Sequence, residues 1–239
     1  MLIIDCYDDF IEALLRAGFS MSGGNAEGVY SAIPVSWGDP PGTGGRIRWH
    51  TGDPDTDPWE WRLRVLNERD DVAYAKMFFR KGGYITREWY PYFLSARRAI
   101  PGGGSIMDFD EEYGSGALSH YAKRIYSVVN ARGAVPLDGI KTLGGFGRQE
   151  KSKFDSALVE LQMRLYITIC GELRKMSKDG KEYGWPTTML CTSESFWGAA
   201  VFDEAAKIPP EAAYESIKER ILELNSHADP NKIDRFISG

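Results

Sequence analysis

Three groups of residues in this sequence have the types that hold ligands, and their spacing decides each case. In DPDTDPWEWRLR, Asp53, Asp55 and Asp57 alternate as the first oxygen ligands of a calcium loop do. The pattern then fails: Pro58 stands where such a loop needs glycine and Arg64 where it needs a bidentate glutamate, so the run reads as an acidic surface loop. The glycine runs SGGNAEG and PGTGG could offer backbone N–H groups to a phosphate. They match neither GxGxxG nor GxxxxGKS/T, which argues against a nucleotide-binding loop. His50, His120 and His227 are scattered without ligand spacing, and no GxSxG elbow appears. Cys6, Cys170 and Cys191 are odd in number and include no CxxC pair. The expectation is reduced thiols, no metal site and no cofactor.

The remaining chemistry is contact with an acidic polymer, and that depends on cations. The chain carries 29 Lys and Arg against 34 Asp and Glu, a net charge of −5. This balance argues against indiscriminate coating of nucleic acid but leaves room for a local basic patch. The candidate phosphate contacts are Lys151, Lys153 and Arg164, followed by Arg174, Lys175, Lys178 and Lys181, which exceed Glu172, Asp179 and Glu182 by one charge.

These cations lie on or beside KFDSALVELQMRLYITICG, whose hydrophobic period changes midway. Phe154, Leu158, Leu161 and Leu165 recur at helical spacing. From Leu165 the period is two, with Ile167 and Ile169 on one face and Tyr166, Thr168 and Cys170 on the other. A helix therefore runs straight into a strand. Asp179-Gly180 signals a hairpin turn and PTTMLCT the returning strand. Upstream, Leu118, Ala122, Ile125 and Val129 predict a helix ended by Gly133, and Leu137, Ile140 and Leu143 a short one closed by Gly144 and Gly145. Helix, short helix, helix and hairpin, in that order, predict a winged helix-turn-helix. With its apolar stripe inward, the third helix would present Gln149, Ser152, Ser156, Val159, Glu160 and Met163, a poor base-reading set without Arg or Asn. The flanking cations suit backbone contact instead.

The first hundred residues are denser in aromatics. DFIEALLRAGFS predicts an amphipathic helix stopped by Gly18, and GDPPGTGG a loop. VAYAKMFFRKGGYIT predicts strand, Gly-Gly turn and strand, and REWYPYFLSARR a helix with Pro91 in its first turn. AIPGGGS reads as a linker, and PPEAAYESIKERILELN and PNKIDRFISG as two closing helices. The expected fold is α+β: an aromatic-rich amino-terminal domain over 1–105, a candidate second, degenerate winged helix; a winged helix over 114–200; and a helical tail over 206–239. No apolar run is long enough to span a bilayer, and MLIIDCYDDF lacks the basic start of a signal peptide, so a cytoplasmic protein without a membrane partner is expected.

Two stretches, KFDSALVELQMRLYITICG and DPWEWRLRVLNERDDVAYAKMFFRKGGYITREWYPYFLSAR, together resemble the AlkZ/YcaQ-type DNA glycosylases and their shorter relatives over about half the chain. The strongest parts are FDSALVELQ, Trp59-Glu60-Trp61 and KMFFRKGGYIT. The resemblance implies winged-helix architecture and, for members that are enzymes, removal of alkylated or crosslinked bases from duplex DNA. Those enzymes position the attacking water with a Gln-x-Gln or Gln-x-Asp pair. The two glutamines here, in Gln149-Glu150-Lys151 and Gln162-Met163-Arg164, form no such pair, so no catalytic residue carries over. A glycosylase-like site would need a carboxylate or amide beside an aromatic pocket for a flipped base. Trp49, His50, Trp59, Glu60 and Trp61 are the densest such group, with Glu60 and His50 as candidate catalytic groups and the three tryptophans as candidate pocket walls. Rings at this density also suit core packing. Glu88 and Tyr90 are weaker candidates. The leading expectation is a repair-related, DNA-associated protein that binds duplex DNA through its backbone without a recognisable catalytic motif. The alternatives are a divergent N-glycosylase acting on alkylated bases and a protein-interaction module on the same scaffold, which leaves a protein partner open.

Overall fold

The computed structural model describes residues 3–24, 27–40, 42–100, 104–176, 179–180 and 182–239. In chain order, α1 (Tyr7–Ala17) leads into β1 (Phe19–Met21), and α2 (Pro58–Glu68) precedes β2 (Val72–Phe78), β3 (Lys81–Thr86) and α3 (Tyr90–Arg98). Then come α4 (Phe109–Gly114), α5 (His120–Arg132), β4 (Val135–Pro136), α6 (Leu137–Leu143), a 3-10 turn (Arg148–Glu150) and α7 (Lys151–Met163). The long hairpin β5 (Ile167–Met176) and β6 (Glu182–Thr192) follows, and α8 (Ser193–Trp197), α9 (Ala199–Lys207), α10 (Pro210–Leu224) and α11 (Pro230–Ser238) close the chain. Among the described residues no helix is long and apolar enough to cross a membrane.

The strands form one antiparallel sheet in the order β1-β3-β2-β5-β6-β4. Tyr74 of β2 pairs with Ile169 of β5, so the sheet crosses the boundary expected near residue 105. Alternation along β2 sends Val72 and Tyr74 to one face, where they join Phe10, Leu14, Trp61 and Val65 of α1 and α2. Ala73, Ala75 and Met77 join the other face, with α3, α10 and α11. The tail is part of that core: Phe236 stacks on Phe78 with centroids 3.8 Å apart. A third cluster holds Ile125, Val129, Ile140, Phe154, Leu161, Tyr166 and Leu190, from α5, α6, α7 and the hairpin.

The helix-to-strand junction is built as the period change requires. After α7, the Tyr166 amide donates to Leu161 O (2.9 Å) and the Leu165 amide to Gln162 O (3.1 Å), the paired bonds of a Schellman motif. Leucine occupies the position that favours glycine, with φ +59° at Leu165, and its side chain is fully buried. Burial of the leucine offsets a left-handed backbone cost of roughly 1–2 kcal/mol. Pro91 lies in the first turn of α3, where its missing N–H costs no helical bond.

The Gly-Gly turn expected between β2 and β3 is displaced. The two-residue loop is Phe79-Arg80, with φ +49° and +63°, closed by the Phe78–Lys81 pair. Gly82 and Gly83 lie within β3 because a Cβ at Gly83 would run into the Phe78 ring and one at Gly82 into Ser22 and Tyr74. These glycines answer a packing demand, not a turn. The acidic run also differs from a surface loop at Asp57. This carboxylate is fully buried and caps α2, accepting from the amides of Trp59 (2.8 Å), Thr51 (2.7 Å) and Gly52 (3.0 Å).

Candidate functional site

Two surfaces collect the candidate residues, and the first is the exposed end of α7. Lys151, Ser152, Lys153, Asp155 and Ser156 are exposed, whereas Phe154, Ala157 and Leu161 pack into the α5–α6 cluster. The outward face expected for this helix is not outward along its full length. Val159 is buried, as is Gln162, whose Oε1 accepts from the Lys76 amide of β2 (3.0 Å) while its Nε2 donates to Leu158 O (3.0 Å). The carboxyl-terminal half of α7 is therefore covered by β2 as well as by α5, which single-stripe periodicity does not reveal. Among the described residues Lys151 and Lys153 have no carboxylate partner, and Lys153 Nζ lies 5.2 Å from the Tyr121 ring centroid.

The other expected phosphate contacts divide. Arg164 is held by the buried Glu112 carboxylate and by Glu160 at 3.9 Å, so its charge is spent tying α7 to α4; Tyr166 donates to the same Glu112. Arg174 is exposed, with its Nε 3.3 Å from Glu172. Lys175 belongs to β5, while Lys178 and Lys181 lie outside the described residues. The sequence reading missed Arg80, whose guanidinium donates to Ser156 Oγ on α7 (3.2 Å) from the tip of the β2–β3 hairpin. Its only sequence signal is its place at the end of the strand expected before Gly82-Gly83, next to Lys81.

A buried cation fixes the far end of α7. Arg97 donates to Met163 O (2.6 Å), Met77 O (3.1 Å), Ile237 O (2.7 Å) and Phe236 O (2.8 Å), joining the carboxyl ends of α7 and α11 to β2. Burial pushes its pKa down to about 9, which still leaves it protonated at neutral pH. Carbonyls at helix carboxyl ends are suited to hold such a charge.

The second surface is aromatic. His50 lies among Trp37 (ring centroids 5.6 Å apart, 84° between planes), Trp49 (6.2 Å, 49°) and Trp59 (4.9 Å, 53°). Local structure brings them together. Asp57 pins residues 51 and 52 to the start of α2, which sets His50, at φ +60°, beside Trp59. Trp49 donates to Val35 O (3.2 Å), and its ring occupies the space that a Cβ at Gly23 would need. A hollow of about 270 Å³ results, lined by Trp37, Asp39, Arg48, Trp49 and His50 among others. Trp37 is 75% exposed and Trp59 42%, and the Arg62 guanidinium covers the Trp59 ring at 3.4 Å.

Of the expected pocket walls, Trp49 and Trp59 thus meet around His50, while Trp61 is fully buried and stacked on Phe10 at 5.0 Å. Trp61 fills the core, as two residues beyond Trp59 on a helix places it on another face. Glu60 sits half-buried on the first turn of α2 and does not line the hollow; Asp39 does. Trp37, in the irregular SWGDP segment, has no periodic signal and was missed. Tyr90 is buried and donates to Ser193 Oγ (2.9 Å), and Glu88 is an exposed residue.

No curated protein matches the chain. The structure is similar to Streptomyces sahachiroi DNA glycosylase AlkZ, with a TM-score of 0.41 and 14% identity over 76% of this chain and 50% of that one. The chain thus spans about half the length of that relative. A family model described as AlkZ related matches residues 4–238, and the chain belongs to that family.

Proposed function

We propose that this AlkZ-related protein binds duplex DNA along its sugar-phosphate backbone, using α5, α6, α7 and the β5–β6 hairpin as a winged helix-turn-helix. In this reading α2 with the β2–β3 hairpin is a degenerate second unit. The observation that carries it is the exposed start of α7, where Lys151 and Lys153 stand without carboxylate partners among the described residues of a chain whose net charge is −5. The exposed turns of α7 offer no Arg or Asn to base edges, and Arg148 and Gln149 lie in the 3-10 turn before the helix. Phosphate contact without strong sequence preference follows. Lys175, Lys178 and Lys181 follow later in the sequence as further candidate phosphate contacts.

A second reading rests on the aromatic hollow. Trp37, Trp49 and Trp59 around His50 could receive an unstacked base, as an N-glycosidic hydrolase of alkylated DNA requires. Gln162, spent on Lys76, supplies no water-positioning amide there, and Asp39 and His50, with Ser36, Arg48 and Thr51, are the polar side chains that line the hollow.

Fluorescence anisotropy of labelled duplex, undamaged and alkylated, titrated at two salt concentrations tests both. The leading reading expects salt-sensitive affinity for either duplex. A preference for the alkylated duplex with release of free base would establish the second. Absence of binding at low salt would overturn both and direct attention to a protein partner.

A further inference from the structure

Between α6 and the start of α7 lies a hollow of about 390 Å³, lined by Lys141, Phe146, Gly147, Arg148, Lys151 and Phe154. Its charge is one-sided. Among the described residues, none of the three cations has a carboxylate partner. Of the acids near them in sequence, Asp138, three residues before Lys141, accepts from the Gly139 amide (3.0 Å), and Glu150 is engaged by Arg124 Nη1 (2.6 Å) and the Gly147 amide (2.9 Å). Arg148 and Lys151 are exposed and Lys141 is half-buried with its ammonium 5.0 Å from the Phe154 ring centroid. Phe146 and Phe154 are the rings of the lining, and further ring–cation pairs adjoin it. Phe146 packs edge-to-face on Phe154 at 4.7 Å, Arg124 lies 4.0 Å over Phe146, and Lys153 approaches Tyr121.

We propose that this hollow is a phosphate subsite: Lys141, Arg148 and Lys151 hold one backbone phosphate of a nucleic-acid strand, and Phe146 packs against the adjoining sugar. Three cations converging without a counter-charge select an anion of high charge density. The apolar floor and a volume beyond that of a bare oxyanion favour a phosphate carried on a sugar. Interleaved rings and cations are the surface on which nucleotide units are held. The subsite rests on the duplex-binding reading for its ligand, and it adds Lys141 and Arg148, which lie outside the third helix and the hairpin.

The test is the full chain carrying Lys141→Gln, Arg148→Gln and Lys151→Gln together, against a control with Lys207→Gln, Lys218→Gln and Lys232→Gln that makes the same change in net charge elsewhere. Duplex binding is followed across a potassium chloride series, and inorganic phosphate and a mononucleotide are titrated by NMR on the amides of Gly147 to Lys151. The subsite predicts that the triple variant binds duplex about tenfold more weakly and loses about one unit of the log–log salt slope, while the control keeps the wild-type slope. A triple variant matching the control would overturn the subsite while leaving the duplex reading intact. If the wild type binds no duplex, the duplex reading fails separately. In that case phosphate-induced shifts confined to the hollow would support a site for free phosphate or nucleotide, and their absence would overturn the subsite too. Unchanged circular dichroism and melting temperature certify that the variant is folded.

Discussion

Arg97→Met should be among the most damaging single substitutions away from any ligand. The replacement keeps the aliphatic stem between Phe78 and Phe93 but removes four hydrogen bonds of 2.6–3.1 Å to Met163, Met77, Ile237 and Phe236. Charge-assisted bonds are worth about 1.5–3 kcal/mol each, and carbonyls left buried without a donor forfeit their solvation as well. The gain from removing a desolvated cation opposes this, and burial alone is strong enough to push the Arg97 pKa down to about 9. Net destabilisation of about 3–5 kcal/mol follows, the range for breaking a buried charged network. For a chain of this length, each kcal/mol lowers the melting temperature by about 2–4 °C, so calorimetry should show a fall of roughly 6–20 °C. Because Arg97 anchors the end of α7 remote from Lys151, duplex affinity measured well below the transition should change little. A melting temperature within about 2 °C of wild type would refute the reasoning, since the four carbonyls would then have found other donors.

Other consequences can be checked directly. Leu165→Gly should destabilise less than Leu165→Ala, by about 1 kcal/mol in urea unfolding, because glycine relieves the left-handed backbone at φ +59° and alanine does not; the usual order would remove the junction strain from the account. Trp61→Ala should cost about 3–5 kcal/mol in denaturant unfolding, as expected for a large ring lost from a core. Trp37→Ala should leave stability within about 0.5 kcal/mol yet weaken binding to a duplex holding an unpaired base by about 1–3 kcal/mol, and unchanged binding would remove the hollow as a base site. Burial raises the pKa of Tyr126 and Tyr166 to about 12, so each phenol keeps its proton in the folded chain where the unfolded chain has lost it. The folded state binds more protons between pH 10 and 12, and stability should be intact below pH 10 and fall as pH rises through that window. A flat stability profile across it would contradict the burial of these hydroxyls.

The elements with a single buried stripe were legible in sequence. Ala122, Ile125 and Val129 are buried on α5 as their spacing requires, and the period change at Leu165 marks the junction of α7 with β5. Features set by distant chain were not. Gln162 is covered by β2, from more than eighty residues upstream, and no local period records a second neighbour. Arg164 looked available for phosphate because Glu112 lies far away in sequence. Gly82-Gly83 resembled a turn, although the glycines serve the close approach of Phe78, Ser22 and Tyr74. The aromatic site was half legible. Trp49, His50 and Trp59 could be grouped by density, but exposure separates Trp59 from Trp61, and only the fold brings in Trp37.

The central claim is backbone-directed duplex binding, and the most direct measurement is the slope of log affinity against log salt for two duplexes of unrelated sequence. The account predicts a linear fall with the same slope for both, and affinities within a few-fold of each other at every salt concentration. Salt-independent binding, or strong preference for one sequence with a shallow slope, would contradict it.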